Sequence, residues 1–289
     1  MEATSSPTVK RRRLGSELRR LRLASGLKST EVAERLMVSQ PKIAHMENGN
    51  RAISPRDVRD LCALYGVSDQ RVIDSMTEEA RESGRQGWWH PYGDLCDSLY
   101  IGLETDAACL HTHAATVLSP LLQTAAYAQA VLAQSMPQLT PEQAATRLDV
   151  LLRRQRRIHD LNRTLRLWAV IDEGVLHRVV GSRNVIREQL EHLNALGTLP
   201  HITLQVLPYT AGAHPGLSGQ FSILDFPDGP QEGVVYLQRC ANDLYLDKPS
   251  EVQHYRTMYD RLQAKALDPD SSRDFITATT HTHAADIRA

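Results

Sequence analysis

The chain has 289 residues, 42% hydrophobic and 23% charged, an ordinary soluble composition with room for two domains and a sizeable core. No apolar run approaches the roughly 20 residues a membrane span needs, and "MEATSSPTVKRRR" carries a basic cluster with no apolar stretch behind it, unlike a secretory signal. The formal net charge of −1 is uneven: residues 1–75 hold 14 Lys and Arg against 9 Asp and Glu, a net of +5 on an acidic remainder, so only the first quarter is suited to a polyanion.

Leu14, Leu18 and Leu21 recur at the spacing of an amphipathic helix that stops near Gly26. "KSTEVAERL" starts a second helix, with Lys28 or Ser29 near its N-cap, Glu31 in its first turn, and Val32, Ala33 and Leu36 inward. After "MVS", Ser39 is a good N-cap, which makes Gln40 the first residue of a third helix and Pro41 the second. The first-turn N–H that a proline lacks has no intrahelical acceptor, so the helix begins at Pro41 rather than breaking there. Ile43 and Met46 face inward and Gly49 stops it. Ser54 and Pro55 open a fourth helix with Val58, Leu61 and Cys62 inward. A fifth begins near Ser68–Asp69 and runs past Met76.

Five short helices, the second and third joined by a tight turn, make a helix-turn-helix pattern. The segments "LR..R..SGL", "EVA..L.VSQ..I...E.G" and "LYGVS" resemble the DNA-binding domain of the lambda-repressor/Cro-like, or xenobiotic-response-element type, regulators. That resemblance places the third helix in the major groove of a double-stranded operator and implies base contacts from Gln40, Lys42 and His45, with Pro41 limited to a thymine methyl. Phosphate contacts are expected from Lys28, Ser29, Thr30 and Arg51, with Lys10, Arg11, Arg12 and Arg13 as a basic arm. Arg22 and Glu47 are implied as an ion pair between the first and third helices.

Residues 77–92 mix charge, Gly and Pro and read as a boundary. Beyond them, "YIGLETDAACLHTHAATVLSPLLQTAAYAQAVLAQ" holds a strand-like or irregular passage and a helical one. "TPEQAATRLDVLLRRQRRIHDL" is helical, capped by Thr140. Five β-type runs follow ("LRLWAVID", "ITLQVLP", "GQFSILDF", "GVVYLQR", "NDLYLD"), with "SRNVIREQLEHLNAL" a helix between the first two and "PSEVQHYRTMYDRLQAKAL" a closing helix. Blocks including "PLLQTAAYAQAVL", "AVIDEGVLHRVVG", "ITLQVLP" and "GAHPGLSGQFSILDF" resemble the C-terminal domain of the WhiJ-like and antitoxin-like regulators of actinobacteria. "SPLLQT" replaces the group's Pro-Gly-Leu-Leu-Gln-Thr run, and Gln238 stands where Glu is usual.

Candidates for chemistry are few. The four cysteines, Cys62, Cys96, Cys109 and Cys240, lie far apart with no C-x-x-C pair and read as reduced cytoplasmic thiols. His111 with His113, repeated as His281 with His283, gives two same-face imidazoles without a third ligand at a recognisable spacing. Glu173 and His177 share a face if "DEGVLH" is helical. "AGAHPGLSGQF" lacks the Gly-Lys-Ser/Thr ending of a phosphate loop and reads as a hairpin turn. Trp88, Trp89 and Trp168 are candidates for lining a ligand pocket, against the alternative of core aromatics.

The expected fold class is an all-α N-terminal helix-turn-helix domain of five helices followed by a larger α+β (mixed) C-terminal domain. The expected division is a flexible basic arm at 1–13, the helix-turn-helix domain at 14–76, a linker at 77–92, an α+β sensing and dimerisation domain at 93–276 and a C-terminal tail at 277–289. The expected function is a cytoplasmic, homodimeric DNA-binding regulator, of repressor type, whose C-terminal domain senses a small-molecule effector or a small partner protein. The alternative is an antitoxin-like protein that neutralises a partner and binds its own operator. Neither reading requires a cofactor, a metal, a catalytic residue or a membrane.

Overall fold

A computed structural model describes residues 7–49, 51–160, 164–227, 233–238 and 243–285. The chain forms two compact units, residues 1–106 and 107–289.

The first unit is all helical: α1 (Pro7–Ala24), α2 (Ser29–Arg35), α3 (Gln40–Glu47), α4 (Pro55–Leu64), α5 (Gln70–Ser83), a 3-10 stretch over His90–Leu95, and α6 (Ser98–Asp106). Short-range chemistry sets the helix starts. Ser39 Oγ accepts from Lys42 N at 3.4 Å, with Pro41 in the first turn of α3. Ser54 and Asp57 cap α4 reciprocally, and Asp69 caps α5. The apolar stripes converge on one core of Leu14, Leu18, Val32, Ala33, Ile43, Met46, Val58, Leu61 and Cys62, closed by Met76 and Ala80 of α5. Each fully buried Leu or Ile contributes about 1.5–3 kcal/mol.

Two features of α1 depart from the sequence reading. Residues 7–13, expected as a flexible arm, are the first turns of α1. The cause is the acidic face of α5: Lys10 is buried and paired with Glu82, and Arg13 Nε lies 3.9 Å from Glu79. At Gly15, a Cβ would lie 2.5 Å from the carbonyl oxygen of Met46 and 2.7 Å from that of Glu47, so α1 meets the end of α3 backbone to backbone.

The unit division also differs from the expected 92/93 boundary. α6 packs on α1 within the first unit, where a Cβ on Gly102 would collide with Thr8.

The second unit is α+β. Its six strands, β1 (Cys109–Ala114), β2 (Arg166–Asp172), β3 (Ile202–Leu207), β4 (Phe221–Asp225), β5 (Val234–Leu237) and β6 (Leu244–Leu246), lie in the order β3-β2-β1-β4-β5-β6. β1, β2 and β3 are parallel, and β4, β5 and β6 are added antiparallel. The first parallel crossover carries α7 (Ala125–Ser135) and α8 (Pro141–Gln155); the second carries α9 (Glu173–His177) and α10 (Arg183–Leu196). On one sheet face, Val170, Phe221, Ile223 and Val235 pack against Val252, Tyr259 and Leu262 of α11 (Pro249–Lys265). α10 and α12 (Pro269–Ala285) meet along β3, where Leu193, Ile202, Leu204 and Ile276 line a shared groove.

The outer edge of β3 is covered rather than left as an open template. Val206 N donates to Ser272 Oγ at 2.9 Å, Leu267 N donates to Val206 O, and Gln205 Nε2 donates to Leu267 O. For that reason residues 277–285 are not a tail: α12 continues through them with Thr279, Thr280 and His283 buried. The glycine-rich "AGAHPGLSGQF" is likewise not a hairpin, because β3 and β4 lie on opposite sides of the β1–β2 pair.

Replacing Gly15 by Ala sets two effects against each other. Helix propensity favours Ala by about 0.8–1 kcal/mol, while overpacking against an immovable backbone costs about 1–3 kcal/mol. The Gly15→Ala protein is expected to melt at a lower temperature than the parent; an unchanged or higher midpoint in thermal denaturation would show that α1 can retreat from α3.

Candidate nucleic-acid interface

The α2–turn–α3 element is held from behind. Val32 and Ala33 of α2 and Ile43 and Met46 of α3 are buried in the unit's core. Behind α3, Arg22 Nε and Nη2 donate to the two carboxylate oxygens of Glu47 at 2.6 and 2.9 Å, and Arg22 Nη1 donates to Leu27 O at 2.9 Å. Both side chains are about nine-tenths buried. Tyr65 abuts this pair; burial, then the nearby Glu47 carboxylate, raise its phenol well above its ordinary range. The turn between α2 and α3 passes through Met37, whose φ of 51° is left-handed. Its side chain is 92% exposed, so no packing favours methionine at a position where L-residues carry a penalty.

The outward face of α3 is polar and solvent-facing. Gln40, Pro41, Ala44, His45 and Asn48 are exposed along it, while Ile43, Met46 and Glu47 point in. Gln40 Nε2 lies 3.4 Å from Ser29 Oγ, which ties the start of α3 to the start of α2. Lys28 and Thr30 at the N-terminus of α2 are exposed, Ser29 is half-buried, and Arg51 is exposed beyond α3. Lys28 N donates to Glu31 at 2.7 Å. Ser29 at the start of α2 and Gln40 at the start of α3 therefore lie side by side, with Lys28 and Thr30 exposed on either side of Ser29 in the chain.

Lys42 does not share that freedom. Its Nζ is 3.1 Å from Asp57 Oδ1, and the pair is about three-quarters buried. Burial raises the Asp57 carboxyl, but the Ser54 hydroxyl and Lys42 outweigh it and hold the group below the usual range. Lys10 and Arg13 are similarly engaged with α5, so the basic cluster first braces the fold. Sequence reasoning passed over Ala44 and Asn48, which follow Gln40 at intervals of four on the exposed face of α3.

The other candidates are divided between the two units. Trp88 and Trp89 stack edge to face at 5.8 Å in the first unit, whereas Trp168 belongs to β2 of the second and donates to Gln205. His111 and His113 share a face of β1 with different partners: His113 lies between Val170 O and Gly216 O at 3.4 and 3.3 Å, and His111 faces Asp225. Glu173 and His177 are 3.3 Å apart on α9, where Glu173 also accepts from Tyr209 N. His283 bonds Leu176 O from α12. Among the described residues, no group of three or more His, Cys, Asp or Glu is arranged to hold a metal ion, and no helix is long and apolar enough to cross a membrane. Cys240 lies outside the described residues.

A helix with a buried anchor and a polar outer face, set beside the N-terminus of the preceding helix, defines a helix-turn-helix DNA-binding regulator. Residues 13–73 match the model of a helix-turn-helix domain, and residues 98–278 match a domain of unknown function, DUF5753, over more than half of the chain. The protein belongs to the DUF5753 family. No curated protein and no solved structure matches it.

The Asp57→Asn change keeps a capping side chain while removing the charge that holds Lys42. It is expected to tighten DNA binding and to steepen the dependence of log K on log salt by about 0.9, the increment for one further phosphate contact. Fluorescence anisotropy titrations over a range of salt check this; an unchanged slope means Lys42 stays out of the interface.

Proposed function

We propose that the protein is a homodimeric, sequence-specific transcriptional repressor of the WhiJ-like, antitoxin-like actinobacterial type, acting in the cytoplasm. The observation that carries this reading is the outer face of α3, exposed and polar while its inner face is fixed by Arg22 and Glu47. Gln40 pairs with an adenine edge, His45 donates to a guanine or a phosphate, and Pro41 touches a thymine methyl. Lys42 joins them by exchanging Asp57 for DNA. Lys28, Ser29, Thr30 and Arg51 hold phosphates, helped by the N-terminal end of α2, and Arg11 and Arg12 add long-range attraction.

Two-fold symmetry of the dimer calls for a pseudo-palindromic operator with half-sites roughly 34 Å apart. The α+β unit serves dimerisation and senses a small effector or a partner protein, and the effector's differential affinity for two states sets operator occupancy.

Genome-wide mapping of sites bound by the purified protein tests the reading. Recurrent inverted repeats upstream of a few genes are expected, and the absence of any enriched motif would overturn it. In binding assays, Gln40→Ala is expected to lose about 1–3 kcal/mol of discrimination at one base pair. Arg51→Ala should instead weaken binding evenly across sequences and flatten the salt slope by about 0.9. Equal loss on all sequences for both variants contradicts the assignment of Gln40 as a base reader.

A further inference from the structure

On the α11 side of the sheet, three side chains from two strands converge. Cys109 and His111 alternate onto the same face of β1, and the register places Asp225 of β4 directly opposite Cys109. The Cys109 sulfur lies 3.6 Å from His111 Nε2, and His111 Nδ1 lies 3.5 Å from Asp225 Oδ2. A nucleophile, an imidazole and an orienting carboxylate in that order form the arrangement that activated thiols require.

The surroundings hold the group in place. From α11, Arg256 Nη1 donates to Asp225 Oδ2 at 3.0 Å and Nη2 donates to Oδ1. Tyr259, also from α11, sets its ring 5.2 Å from that of His111 and spends its hydroxyl on Trp168 O at 2.7 Å. On β2, Trp168 is the register neighbour of His111, and the exposed Arg166 that of Cys109. The charged groups around the imidazole are therefore Asp225, Arg256 and Arg166, with the Cys109 sulfur beside it. Burial lowers His111, but Asp225 and then Cys109 outweigh it and push it up to about 9. The cluster is not sealed: His111, Asp225 and Arg256 keep 20–26% of their side-chain exposure, and Cys109 keeps 9%.

We propose that Cys109, His111 and Asp225 form a thiol oxidation site whose substrate is a small hydroperoxide. The thiolate sulfur attacks the terminal oxygen of ROOH; the S–O bond forms as the O–O bond breaks. Sulfur is oxidised by two electrons to a sulfenic acid, and the peroxide is reduced. The departing alkoxide takes the proton from the His111 imidazolium and leaves as ROH. Asp225 holds the ring so that Nε2 faces the sulfur, and Arg256 holds Asp225; both are positioning residues. Such an oxidation would install a polar sulfur group between the sheet and α11, within the unit assigned above to sensing. The site stands independently of the DNA reading, and its test contains no DNA, so either can fail alone.

The test treats the full-length purified chain with hydrogen peroxide, traps sulfenic acid with a cyclic dione and follows each cysteine peptide by mass spectrometry. Cys109 is expected to react at least about a hundredfold faster than the half-buried Cys96 and the buried Cys62, the lower end of what a positioned proton donor contributes. In the parent protein the Cys109 rate should fall as pH rises past about 9, where His111 gives up its proton, whereas an ordinary thiol keeps gaining thiolate over that range. His111→Gln should lower the rate about a hundredfold and abolish the alkaline fall. A Cys109 rate no greater than that of Cys96, or one that climbs through pH 9 in the parent protein, overturns the proposal even if the His111 variant fails to fold.

Discussion

The first unit depends on the buried pair between Arg22 and Glu47. Two charges taken out of water cost several kcal/mol each, and they are repaid only when every donor and acceptor finds a partner. Here Arg22 satisfies both oxygens of Glu47 and reaches Leu27 O as well. Removing either partner would strand the other charge in the core, at about 3–5 kcal/mol. The contact also has little play, since Gly15 lets the α1 backbone meet the carbonyls of Met46 and Glu47 directly. With its inner face fixed, α3 can present Gln40, Pro41 and His45 to solvent in a defined orientation. Reading bases needs that rigidity, because hydrogen bonds to base edges tolerate little error in distance or angle.

What the sequence revealed of this unit is what chemistry decides within three or four residues. Ser39 with Pro41, and Ser54 with Pro55 and Asp57, mark helix starts because caps act locally. The Arg22–Glu47 pair spans 25 residues and came into view only through resemblance to a known domain. Partners set by tertiary packing had no such signal. Lys10 reads as part of a solvated basic arm until Glu82, 72 residues away, is brought beside it. Lys42 reads as a free base-contacting side chain until α4 supplies Asp57. Met37 gives no hint of a left-handed turn, because the residues that usually mark one are Gly and Asn.

In the second unit the outer strands were easier to read than the middle one. β2, β3, β4 and β5 announce themselves as β-branched and aliphatic runs bounded by Gly, Pro or Asp. β1, which pairs on both sides and joins the parallel half of the sheet to the antiparallel half, reads Cys-Leu-His-Thr-His-Ala. Its periodicity is obscured because its side chains toward α11 are polar, and each is accommodated by something distant: Asp225 for His111, Val170 O and Gly216 O for His113. Hydrophobic patterning detects burial in oil, not burial among polar partners.

That polarity is hard to explain as a device for stability. Burying an ion pair in place of apolar side chains of similar size is commonly neutral or unfavourable, and the neighbouring core of Val170, Phe221, Ile223, Val235 and Leu262 shows that this face of the sheet packs well with apolar residues. Aliphatic residues at 111, 225 and 256 together would satisfy the same layer without desolvating an imidazole, a carboxylate and the guanidinium paired with it. The strand instead places a thiol beside an imidazole, and a salt-bridged carboxylate behind it, at a point where the face is still open to solvent. The same fold could be had without these groups, so the cost of burying them is better explained by reactivity than by folding.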